Sequence, residues 1–153
     1  MVVPNLLEAT WERMIRAVEK VRERCHRAAS ALESAGIPYA VIGGNAVANW
    51  VASIDEGSVR NTRDVDILIR RDDLERAKAA MDAVGFDHAV VMGVDLFVER
   101  PDGKPSDGVH VIFAGEKVKP TDPVPAPDVT ESERGAAFQV IGLAALVRMK
   151  LVA

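Results

Sequence analysis

Residues 37–70 hold two short apolar runs with unusual chemistry at their facing ends. The first, Ile37 to Ile42, closes on Gly43-Gly44, and the second, Thr62 to Arg70, carries Asp64 and Asp66 among Val65, Ile67, Leu68 and Ile69. Runs of this length, rich in β-branched residues and bounded by turn residues, read as strands. Alternate strand residues share a face, so Asp64 and Asp66 point one way while Val65 and Ile67 point into the core. Adjacent carboxylates raise each other's pKa unless a cation lies between them, and oxygen donors of this kind suit a hard divalent ion. Taken alone, Asp-x-Asp is more often an edge strand with its acids in water.

Around this pair the chain alternates helix and strand. Asn5 to Ala35 reads as one long helix, with Pro4-Asn5 and Glu8 as a cap and Gly36 with Pro38 as the stop. Leu7, Trp11, Met14, Val18, Val21, Cys25, Ala28 and Leu32 form a heptad-like stripe along it. That stripe is expected to lie on a sheet, with a homodimer contact through this helix as the alternative. A short helix over Asn45–Ala52 follows the glycine pair, then a polar loop carrying Gly57. Asp72 with Glu75 opens a further helix ending at Gly85. Phe86–Met92 and Val94–Arg100 form a hairpin about Gly93, and Gly108–Ala114 is another strand. Lys119–Val129 holds four prolines and must run extended. Ala137–Ile141 reads as a last strand and Leu143–Ala153 as a last helix. The order marks a mixed α/β (α+β) layer.

A chain of 153 residues is expected to form a single domain over 1–153: the helix 5–35, a core 37–114, the proline-rich 115–136 and the closing 137–153. A net charge of −4 provides no general basic surface for nucleic acid, although Arg60, Arg63, Arg70 and Arg71 flank the acidic pair. The lone Cys25 excludes an internal disulfide and a cysteine-rich metal site. No apolar segment is long enough to span a bilayer and no signal-peptide pattern is present, so a cytoplasmic protein with no membrane partner is expected.

Ile42-Gly43-Gly44-Asn45-Ala46 followed by Arg60-x-Thr62-x-Asp64-x-Asp66 resembles the core signature of the DNA polymerase β-like nucleotidyltransferase superfamily. The similarity is to its small bacterial members, the aminoglycoside nucleotidyltransferases and the abortive-infection toxin-type enzymes. It covers about residues 39–114 and reaches more loosely to Lys150. It implies a nucleotidyltransferase fold, with a mixed central β-sheet flanked by helices and a long N-terminal helix. It also implies transfer of an NMP from an NTP to a hydroxyl acceptor: a small molecule, an RNA end or a protein side chain. The chemistry needs alignment and charge neutralisation more than covalent help. Gly43 and Gly44 would let the backbone approach a triphosphate, and Asn45 opens a helix whose dipole faces it. By this resemblance Asp64 and Asp66 would be the metal ligands and catalytic acids, with Mg²⁺, or Mn²⁺, as the cofactor. Arg60, Thr62 and Lys150 are the remaining candidate nucleotide-binding residues.

One position departs from the superfamily pattern. Where a later strand usually supplies a third carboxylate, this chain has His110. An imidazole is a poor Mg²⁺ ligand, but it can act as a general base or favour a softer ion such as Mn²⁺ or Zn²⁺. Asp95 and Glu116 are the other candidates for the missing acid. The alternative expectation is a catalytically degenerate nucleotide-binding module, with a cognate partner protein of toxin–antitoxin type.

Overall fold

The structure, a computed structural model, describes residues 5–60 and 62–152. Pro4 of the expected cap and Ala153 at the expected end of the last helix lie outside the described residues. Among the described residues, four α-helices, α1 (Leu6–Ser34), α2 (Gly43–Ala52), α3 (Leu74–Asp82) and α4 (Leu143–Val152), accompany seven strands. The strands are β1 (Tyr39–Ile42), β2 (Val65–Ile69), β3 (Phe86–Val91), β4 (Val94–Glu99), β5 (Val109–Phe113), β6 (Ser132–Arg134) and β7 (Gln139–Ile141). They form one mixed sheet in the order β3-β4-β5-β2-β1-β7-β6.

The acidic strand β2 stands fourth of seven, so it is central and not an edge. It runs antiparallel to β1 and parallel to β5. Its apolar residues are buried on both faces, as a near-continuous run of Val, Ile and Leu requires. Val65, Ile67 and Ile69 join the core under α1 and α3, where Leu32, Met81, Phe86 and Phe97 also pack. Leu68 joins a second core with Ala40, Ile42, Ala46, Ile141 and Leu146, under α2, α4 and the segment that includes Ala126 and Val129. Burying a leucine or phenylalanine side chain in such a core contributes roughly 1.5–3 kcal/mol.

Several boundaries differ from the sequence expectation. The α2 helix begins at Gly43, because that glycine takes φ +64° and turns the chain directly out of β1. The Asp72 capping box does not form. A 3-10 turn over Arg71–Asp73 precedes α3, and Asp73 precedes the helix without a side-chain cap bond. A strand not expected, β6, pairs antiparallel with β7. The β3–β4 hairpin turns through Met92 (φ 52°) and Gly93 (φ 78°), both left-handed as a tight two-residue turn demands.

The stripe on α1 divides in two. Cys25, Ala28 and Leu32 are buried, whereas Leu7, Trp11 and Met14 are 78%, 65% and 57% exposed. The sheet lies only under the C-terminal half of the helix. There Arg24 Nε donates to Glu99 at 2.7 Å, and Arg27 Nη2 makes an ion-pair contact with the same carboxylate at 2.9 Å. Among the described residues no helix is long and apolar enough to cross a membrane.

Candidate active site

The end of β1, the start of β2 and the start of β5 converge at one end of the three central strands. Pairing sets Asp66 opposite Ile42 on one side and opposite His110 on the other. Asp64 lies just before β2, exposed, while Asp66 is half-buried within it. His110 Nδ1 stands 3.3 Å from Asp66 Oδ1. The Asp66 carboxyl is pushed above its ordinary range chiefly by burial, and the charge of Asp64 adds to the rise. His110 and Lys150 pull it back down.

Gly43 is favoured by its left-handed backbone, and close contacts favour a glycine at both positions. A Cβ on Gly43 would sit 2.3 Å from Asp66 Oδ2, and one on Gly44 would sit 2.7 Å from Thr62 Oγ1. The start of α2 is therefore pressed against the acidic strand and its approach loop. No side chain caps this helix end, so its first backbone N–H groups are offered to an anion. Asn45 Nδ2 donates to the Asp64 carbonyl at 2.8 Å, and the Asp64 N–H donates to Thr62 Oγ1 at 3.3 Å. Both side chains thus hold the loop that carries Asp64.

Two hollows flank these residues. One, of about 360 Å³, is bordered by Gly44, Ser58, Arg60, Thr62 and Lys150. The other, of about 500 Å³, is bordered by Gly43, Asp66 and Lys150 and walled by α4 and the proline-rich segment. Lys150 borders both. All nine candidate residues, Gly43, Gly44, Asn45, Arg60, Thr62, Asp64, Asp66, His110 and Lys150, therefore fall in one region of the fold.

The other candidates for a third acid lie elsewhere. Asp95 is held by His88 at 2.7 Å within the hairpin, and Glu116 takes two hydrogen bonds from Arg71 at 2.7 and 2.9 Å. The basic cluster expected around the acids is also partly neutralised, because Arg70 pairs with Asp128 at 2.9 Å. The proline-rich segment does more than cover the surface, since Val124, Pro125 and Ala126 wall the larger hollow. Its anchor is a capping box between Asp128 and Glu131, a pattern readable as Asp-x-x-Glu and not used in the sequence reading.

A divalent cation here would take only part of its coordination from the protein. Among the described residues no group of three His, Cys, Asp or Glu is placed to hold a metal. Mg²⁺ needs less than that from protein. It keeps several waters and is commonly bound by one or two carboxylates plus substrate phosphates. A pair of carboxylates beside an uncapped helix start fits that mode.

The fold is similar to that of two solved structures. The crystal structure of ANT(2'')-Ia in complex with adenylyl-2''-tobramycin matches with a TM-score of 0.55 at 13% identity, over 86% of this chain and 74% of the other. The solution structure of the antibiotic-resistance factor ANT(2'')-Ia matches with a TM-score of 0.55 at 12% identity, over 84% and 68% of the two chains. No curated protein matches the sequence. The family model described as "Uncharacterised nucleotidyltransferase" matches residues 2–115, three quarters of the chain, and the protein belongs to that nucleotidyltransferase family.

Proposed function

We propose that this protein transfers a nucleoside monophosphate from a nucleoside triphosphate to a hydroxyl acceptor, using Asp64 and Asp66 at the start of the central strand β2. The observation that carries the reading is the packing of the Gly43-Gly44 helix start against Asp66, which sets anion-binding N–H groups beside a half-buried carboxylate. Gly43, Gly44, Arg60, Thr62 and Lys150 receive the triphosphate, and Asn45 holds the Asp64 loop in place. Asp64 and Asp66 hold Mg²⁺, or Mn²⁺, together with the phosphates. When bound, the ion supplies neutralisation of the phosphate charge and alignment of the α-phosphorus.

In the transfer step the acceptor oxygen bonds to the α-phosphorus. The bond from that phosphorus to the bridging oxygen breaks, and pyrophosphate leaves with the electron pair. The hydroxyl proton passes to His110, whose ring adjoins Asp66. A nucleoside monophosphate ester of the acceptor is the product.

A second reading, nucleotide binding without turnover, is favoured by the imidazole of His110 where a third carboxylate would stand beside Asp66. The experiment that separates the two offers α-phosphate-labelled ATP, GTP, CTP and UTP with an aminoglycoside, a tRNA and a serine-bearing protein. Label transfer by the native chain and none by the Asp64→Asn, Asp66→Asn variant supports the enzyme. Transfer that persists in the variant refutes the assignment, and tight binding with no transfer favours the second reading.

A further inference from the structure

The larger hollow beside Asp66 has walls that the transfer reaction leaves unassigned. Its volume of about 500 Å³ is that of a small-molecule site. Ile42, Ile112, Val124, Pro125, Leu146 and Met149 are among the apolar residues of its wall. Four carboxylates also border it, and three of them are already engaged. Asp128 takes hydrogen bonds from Arg70 at 3.1 and 2.9 Å, and Glu131 is paired with Arg148. Asp122 accepts the Lys119 backbone N–H at 2.9 Å. The fourth, Asp66, belongs to the reacting site.

These partners decide what the hollow can bind. A polycation would find Asp128 and Glu131 held by arginines and Asp122 held by a backbone N–H, and would have to displace these partners while losing its own hydration. An apolar body displaces only water from apolar walls, which is favourable in proportion to the area covered. The smaller hollow has apolar walls too, from Val47, Ala48 and Val51, but among the described residues no carboxylate borders it. Arg60, Thr62, Ser58 and Lys150 border it, a set suited to phosphate oxygens.

We infer that the larger hollow is the acceptor site, and that the acceptor is an uncharged, largely apolar alcohol, aromatic or alicyclic, and not a polycationic sugar. The inference rests on the transfer reading given above. It assigns the triphosphate to the smaller hollow and brings the acceptor hydroxyl to Asp66 and His110 from the apolar side. The bonds made and broken are those of the transfer step already described.

The test uses 2-(2-naphthyl)ethanol as an apolar alcohol probe, tobramycin as a polycation, and Mg·ATP, each titrated calorimetrically into the full chain. Val124→Lys puts a charge in the wall from a residue that is 45% exposed, so the fold is expected to tolerate it. Val118→Lys, at 50% exposure in the same wall, serves if the first variant does not fold. The expected result is naphthylethanol binding that weakens about tenfold or more in the variant, with Mg·ATP affinity within about twofold of native. Tobramycin binding in place of the naphthyl alcohol overturns the inference. So does naphthylethanol affinity indifferent to the substitution, or an equal loss of Mg·ATP affinity, which would put the nucleobase in this hollow. Absence of Mg·ATP binding by the native chain, with the naphthyl alcohol behaving as expected, is distinguishable: it refutes the transfer reading and the acceptor role while leaving an apolar site.

Discussion

Replacing Gly43 by alanine tests the contact on which the site is built. Two costs arise, and a second glycine separates them. Gly36 (φ +68°) has nothing within 4 Å of its would-be Cβ, so Gly36→Ala carries only the left-handed backbone strain, roughly 1–2 kcal/mol. Gly43 (φ +64°) carries the same strain and, in addition, a Cβ 2.3 Å from Asp66 Oδ2. Forcing Asp66 aside adds an overpacking cost of roughly 1–3 kcal/mol, so Gly43→Ala is expected to lose roughly 2–5 kcal/mol in all. The assay is urea unfolding of Gly36→Ala, Gly43→Ala, Asp66→Ala and the Gly43→Ala, Asp66→Ala double variant. With the carboxylate removed, the cost of Gly43→Ala is expected to fall towards that of Gly36→Ala, with the Cβ at position 66 still 3.3 Å away, a coupling of roughly 1–3 kcal/mol of the kind seen for residues in contact. Equal losses at the two glycines in the native background, or no coupling to Asp66, would refute the close packing.

Three further outcomes follow from burial and charge. The Cys25 thiol is pushed up to about 12, by burial first and the charge of Asp66 second, so it is expected to resist a disulfide reagent at pH 8 and to react once urea unfolds the chain. Arg70 holds the Asp128 carboxyl well below its ordinary range. The stability from that pair is therefore present above the ordinary carboxylate pKa and lost as pH falls below about 4. The difference in thermal midpoint between the native chain and Arg70→Gln should shrink between about pH 6 and about pH 3. Along α1, Leu32→Ala is expected to cost roughly 2–5 kcal/mol, because that side chain is fully buried. Trp11→Ala should cost less than about 0.5 kcal/mol in dilute solution, because Trp11 stands in solvent. A large Trp11 effect that grows with protein concentration would mean that a second copy covers the stripe.

Much of the fold is legible in local pattern. The β-branched runs, the glycine pair, the stop at Gly36 and the Gly93 hairpin each act over a few residues, and the elements they mark are present. What the pattern does not contain is pairing. Nothing near Asp66 in sequence says that His110 is its strand neighbour, 44 positions on, or that β2 is central. The α1 stripe is a related case. Its period fixes which residues share a face, but the length of sheet beneath the helix fixes how much of that face is buried, and Leu7, Trp11 and Met14 overrun it. The larger hollow was hidden for the same reason. Its walls come from β1, β5, the proline-rich segment and α4, and only the Asp128–Glu131 capping pattern gave a local sign of where that segment turns back.

The central claim is that Asp64, Asp66 and the Gly43-Gly44 helix start together bind a nucleoside triphosphate with a divalent ion. Calorimetric titration of ATP, GTP, CTP and UTP, each with and without Mg²⁺, into the native chain and the Asp64→Asn, Asp66→Asn variant tests it most directly. The account predicts metal-dependent binding of at least one triphosphate by the native chain, and its loss in a variant that still melts cooperatively. Triphosphate binding of equal strength in the folded variant, or none by the native chain under any of these conditions, would contradict it.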